Sequence, residues 1–218
     1  MSELRAGEVP ADAVWYASYG SNIAPERFAL YIDGGSLQGV ADKAAHRGAR
    51  DSSAPMATAL DRVPHRLVFA GHSSRWGGSP AFLHLEPGSG SAVIRRWLVT
   101  AEQFEDVAAQ ENGMEPGSLA IDIDALVAAG VLDITDRWYG KALCLGEVDG
   151  HPVVTFTGTR AGLDVGAPSS SYLGTIVGGM AEGGMSTDEI VATILEADGV
   201  VPAWTAGSIA DLVDSTRR

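Results

Sequence analysis

Residues 14–32, VWYASYGSNIAPERFALYI, decide how the rest of the chain is read. Val14 to Tyr19 is a run of aromatic and small apolar side chains ended by Gly20-Ser21-Asn22, the pattern of a buried strand entering a tight turn. Pro25 and Glu26, followed by Phe28, Leu30, Tyr31 and Ile32, predict a short helix, because proline fits a first helical turn and an acidic residue there suits the helix dipole. The turn therefore lies at a helix N-terminus, where peptide N–H groups lack intrahelical partners. Gly20 offers close access to that backbone, so the geometry suits a small anion such as a carboxylate or phosphate.

Outward from this stretch, the bulk composition narrows the class. With 218 residues and 45% hydrophobic content the chain can bury a full core, and it reads as a single domain over residues 14–218 behind a disordered lead-in, residues 1–13. A net charge of -13 and a pI near 4.6 argue against a nucleic-acid partner, since 15 basic residues against 28 acidic ones supply no phosphate-binding field. The single cysteine, Cys144, excludes an intrachain disulfide, fits a reducing compartment and sits in an apolar run that reads as core. No apolar leader and no run of membrane-spanning length is present, so the expected location is the cytoplasm. Five scattered histidines give no metal-ligand spacing, so no metal and no cofactor are expected. Oligomeric state is not written in the sequence.

Along the chain, residues 36–62 show no sustained period and read as a solvated loop with a local basic spot at His46, Arg47 and Arg50. Strands are expected over 66–70, 80–85 and 92–99, with the glycine-rich string 71–79 between the first two and Trp76 covering an edge. Thr100 with Gln103 forms a capping box and Asn112-Gly113 a stop, which specify a helix of about three turns. On that helix Glu111 follows Phe104, Val107 and Ala108 at i+7, i+4 and i+3, so it is placed on the core-facing stripe, while Glu102, Glu105 and Asp106 lie off it. A carboxylate on a buried face is costly unless paired or neutralised, which marks Glu111 as a candidate acid/base. A helix over 118–129 closed by Gly130, strands over 138–148 and 153–157 joined by an Asp149-Gly150 hairpin turn, and a helix capped by Ser186 and Glu189 complete the reading. The tail from Trp204 carries an apolar set over 208–213 that the pattern does not assign.

Tyr19-Gly20-Ser21-Asn22 at the end of the first strand resembles the YGSN loop of the gamma-glutamylcyclotransferase-like family. The resemblance extends to Trp76-Gly77-Gly78 before a strand, to Gln110-Glu111-Asn112-Gly113 at the end of a helix, and to Pro168-Ser169-Ser170-Ser171-Tyr172 leading into a helix with small residues. It implies an α+β fold, a closed or nearly closed mixed β-barrel of six or seven strands with flanking helices. It also implies an enzyme of acyltransferase or C–N lyase type that cyclises a gamma-glutamyl amine or peptide to 5-oxoproline. Tyr19, Gly20, Ser21, Asn22 and Tyr172 would bind the substrate, and Glu111 would be the general acid/base. The predicted helix over 118–129 is a decoration on this pattern. The alternatives are a non-enzymatic module of the same fold that binds a small carboxylate, and a hydrolase acting through Ser21 or Ser18, which no motif supplies with a histidine base.

Overall fold

Six consecutive buried residues, Ala13–Ser18, form the strand β1, and the run VWYA explains why it lies inside a sheet: it is apolar on both faces. The structure, a computed structural model, describes residues 9–36, 45–158 and 163–217. Residues 1–8 of the expected lead-in therefore lie outside the described residues, and Ala13 already belongs to β1. In chain order β1 is followed by α1 (Pro25–Asp33), β2 (Ala57–Val63), β3 (Leu67–Phe69), β4 (Ala81–Leu83), β5 (Ala92–Thr100) and α2 (Ala101–Glu111). Then come α3 (Ile123–Ala129), β6 (Val131–Asp133), β7 (Lys141–Val148), β8 (His151–Thr157), α4 (Ser170–Glu182), α5 (Thr187–Leu195) and α6 (Ala206–Thr216).

The described residues divide into two compact units, one within residues 1–17, 29–59 and 95–157, the other within residues 18–28, 60–94 and 158–218. The first is built around a six-stranded sheet of order β2-β5-β1-β8-β7-β6, in which β1 pairs with β8 in parallel and β6-β7-β8 is an antiparallel meander. Asp149 (φ 54°) and Gly150 (φ 81°) both take the left-handed conformation that a two-residue hairpin turn demands, which fixes the β7–β8 register. Helix α2 supplies Phe104 to an aromatic cluster, its ring 5.8 Å from Tyr16 and 6.0 Å from Phe156. The capping box predicted from Thr100 and Gln103 is formed in both directions.

Several expectations about α2 and its surroundings are corrected. The fully buried carboxylate on the helix is Asp106, not Glu111, which is only half-buried. Gln103, Asp106 and Gln110 form a second stripe at i, i+3 and i+7, beside the apolar one, and it binds the backbone around residues 31 and 50–53. The basic spot is exposed at Arg47 and Arg50, as expected, and both are also engaged in ion pairs. The backbone N–H of Arg50 donates to Asp106 at 2.8 Å, its guanidinium reaches Asp106 and Glu102 at 3.0 Å, and Arg47 pairs with Glu115. The expected helix over 118–129 begins only at Ile123, because the Asp122 side chain caps it by accepting from Ala125 N. Residues 117–121 instead run along α2, with Gly117 N donating to Asp106 and Ile121 N to Glu105. Part of the loop expected over 36–62 is the strand β2, and residues 37–44 of it lie outside the described residues.

In the second unit β3 and β4 make a separate two-stranded antiparallel sheet with Leu67 opposite Leu83. The α+β class holds, but among the described residues no closed barrel forms: the large sheet is open, with β2 and β6 at its edges. The reason lies in the hydrogen bonds of β3. One edge of it is taken by β4, and the other by the segments around 164–166 and 198, through Phe69 N to Asp198 O, Asp198 N to Leu67 O and Gly166 N to Phe69 O. No edge of β3 remains to continue a larger sheet. The unassigned tail forms α6, opened by a Thr205/Ser208 capping box and burying Ile209 and Val213 among α4 and α5. Among the described residues no helix is long and apolar enough to cross a membrane.

Candidate functional site

Within the second unit the turn after β1 is a short 3-10 turn over Ser21–Ile23. Ser18 Oγ donates to Asn22 O at 2.9 Å and Ile23 N to Gly20 O at 3.0 Å, which pins the loop from inside. Ser21 and Asn22 are buried, as is Tyr19. Gly20 has φ -103°, so its backbone makes no demand for glycine. What requires glycine is a neighbour: a Cβ on residue 20 would lie 2.9 Å from the hydroxyl of Tyr172. The loop and the Pro-Ser-x-x-Tyr segment, far apart in the chain, thus lie against each other.

Tyr172 is held from several sides. Ser169 caps α4 by accepting from Tyr172 N, which sends the ring inward from the first turn. Its Oη accepts from Ala81 N at 3.2 Å, its ring meets Phe69 edge-on at 6.3 Å, and Trp76 leans on it at 4.8 Å. The Trp-Gly-Gly string is seated by Gly78, whose missing Cβ would lie 2.4 Å from Ser169 N. Above Trp76 is the guanidinium of Arg27, 5.4 Å from the ring centroid and 2% exposed. Arg27 was not singled out from the sequence, although its phase was legible: it precedes Tyr31 by one helical turn and shares its buried face. Gly20, Tyr172, Trp76 and Arg27 therefore form one contiguous cluster, with polar backbone at one end and an aromatic wall beside it.

Glu111 belongs to the first unit. It is the last residue of α2, and both neighbours are tied down. Gln110 Nε2 donates to Tyr31 O at 2.9 Å. Asn112 donates through Nδ2 to Ala108 O and Tyr139 O, accepts from Tyr139 N at its Oδ1, and accepts from Arg137 at its carbonyl. The backbone carrying Glu111 is thus fixed on both sides of a half-exposed carboxylate, an arrangement able to present a proton acceptor. The hydrolase alternative is weakened, since the Ser18 hydroxyl is buried and engaged with Asn22 O. Cys144, expected in the core, is half-buried instead, because a bulge between Cys144 and Gly146 breaks the alternation of β7. Among the described residues no group of His, Cys, Asp or Glu has the grouping of a metal site.

Comparison with solved structures identifies this architecture. It is similar to a gamma-glutamyl cyclotransferase, with a TM-score of 0.52 at 16% identity over 93% of this chain and 99% of that one. An uncharacterized human protein of known structure matches with the same score, identity and coverage. The chain has the gamma-glutamylcyclotransferase-like fold, as the YGSN loop indicated. In sequence it is 35% identical over 200 residues to histone deacetylase 5 of Arabidopsis thaliana, covering 83% of this chain but 30% of that protein. The chain thus spans under a third of the length of that relative, and the deacetylase name describes the longer protein. No family model matches the sequence.

Proposed function

We propose that residues 14–218 act as a gamma-glutamylcyclotransferase-type enzyme. Tyr19 to Asn22 bind the α-carboxylate of a gamma-glutamyl group, with Tyr172 completing the binding surface. The α-amine of the substrate attacks its own side-chain amide carbon, forming the ring C–N bond as the amide C–N bond breaks. Glu111 takes the proton from the attacking amine and returns it to the departing nitrogen, so 5-oxoproline and a free amine or amino acid leave. The substrate provides the nucleophile, so the protein has only to position the chain, offer N–H donors to the carbonyl and move one proton.

The observation that carries this reading is the contact of Tyr172 Oη with Gly20, which joins the two segments that resemble the family's binding loop in a fold shared with a gamma-glutamyl cyclotransferase. The rigid flanks of Glu111 support its role as the proton carrier. The test is incubation with gamma-glutamyl amino acids, peptides and amines, assayed for 5-oxoproline. Release from at least one of them supports the enzyme. Binding of a gamma-glutamyl ligand without release from any of them favours the non-catalytic carboxylate-binding module.

A further inference from the structure

We infer that Trp76 is a specificity-determining residue of the loop site, forming the wall met by the departing part of the substrate, and that Arg27 is the positioning residue that sets its ring. The inference rests on the gamma-glutamyl reading of that site. Trp76 is half-buried while the other large side chains of the string, His72 and Arg75, are exposed, so its ring is the one large side chain there turned to the protein. It touches Tyr172, and Tyr172 Oη touches Gly20, so the indole continues the surface that begins at the binding loop. The string is a built element: Ser73 N donates to Gly78 O at 2.9 Å, Gly77 N to Ser73 O at 2.8 Å, and Ser79 Oγ to Gly71 O at 2.7 Å. Its base is locked at Gly78 against Ser169, the residue that caps the helix carrying Tyr172.

One chemical consequence follows from the ring. An indole face rewards an apolar or aromatic departing group by removing its surface from water. The site therefore selects gamma-glutamyl conjugates of apolar amino acids over that of glycine. Arg27 acts only through Trp76, by holding the ring against Tyr172.

The experiment compares gamma-glutamyl-phenylalanine and gamma-glutamyl-glycine with the parent protein, Trp76→Ala, Trp76→Phe and Arg27→Lys, measuring 5-oxoproline release and, by calorimetry, binding. The parent should prefer the phenylalanine conjugate. Trp76→Ala should raise KM for it about tenfold relative to the glycine conjugate, with little change in kcat, and Trp76→Phe should restore most of the preference. Arg27→Lys should weaken the preference less than Trp76→Ala. An equal effect of Trp76→Ala on both conjugates, or no preference in an active parent, overturns this inference and leaves the enzyme reading standing. Discrimination in binding that Trp76→Ala abolishes, without release by the parent, supports the wall and overturns the catalytic reading. Neither binding nor release overturns both.

Discussion

Replacing Asp106 by asparagine keeps the size of the side chain and removes the charge on which one side of α2 depends. The carboxylate is fully buried and accepts from Arg50 N at 2.8 Å, from Arg50 Nε at 3.0 Å and from Gly117 N at 2.7 Å, while the guanidinium lies 3.0 Å away. An amide offers one acceptor oxygen where the carboxylate offers two, so its NH2 must face donors from Arg50 or Gly117. Removing one partner of a buried ion pair costs about 3–5 kcal/mol. The lower end applies, because the Arg50 side chain is 41% exposed and can rehydrate. At about 2–4 °C per kcal/mol for a chain of this size, Asp106→Asn should lower Tm by roughly 6–12 °C. Thermal unfolding followed by circular dichroism, paired with urea titration, measures it. A loss below about 2 °C would refute the reasoning, because the pair would then be worth no more than a surface contact.

Other perturbations have equally local causes. In Gly20→Val the added Cβ meets Tyr172 Oη at 2.9 Å, so calorimetry should show gamma-glutamyl binding lost in a protein that still folds; unchanged affinity would remove the loop from the site. Gly179→Ala places a Cβ 2.5 Å from Ile23 Cγ2 and 2.7 Å from Ala24 N, and should destabilise by at least about 1–3 kcal/mol in urea despite the better helix propensity of alanine. Hydrogen bonds from the Ser186 side chain and backbone hold Glu189 below the ordinary glutamate value of 4.5, aided by Arg62. A lowered carboxylate stabilises above its unfolded value and loses that contribution as pH falls through its folded one. Glu189→Gln should therefore narrow its stability difference from the parent as pH drops below the ordinary value, which acid titration of Tm checks; a constant difference would contradict the capping role.

Local chemistry was legible in the sequence wherever both partners lie within a few residues. Thr100 with Gln103, Ser186 with Glu189 and the Asp149-Gly150 turn all declare their geometry within four positions, and each is formed. The YGSN string and Tyr172 were recognisable as motifs, though not as touching each other. The burial of Asp106 was not legible, because the arginine that makes it tolerable is 56 residues away, in a stretch with no periodicity. For the same reason residues 50–53 read as solvated loop: their backbone is held by side chains of α2, not by a pattern of their own. The open sheet was equally hidden, since nothing within Leu67–Phe69 announces that its second edge will bind the backbone at residues 166 and 198. The α6 capping box at Thr205 and Ser208 differs: a serine fills the third position where glutamate or glutamine marks the motif.

The central claim concerns Glu111, the half-exposed carboxylate whose flanking residues are fixed by Tyr31, Tyr139 and Arg137. The most direct measurement is 5-oxoproline release by the parent protein and by Glu111→Gln, with calorimetric binding of the same gamma-glutamyl substrate. The account predicts that the variant binds about as tightly as the parent and loses on the order of 10² or more in turnover, the scale of a lost general acid/base. Undiminished release by Glu111→Gln, or loss of binding with turnover intact, would contradict it.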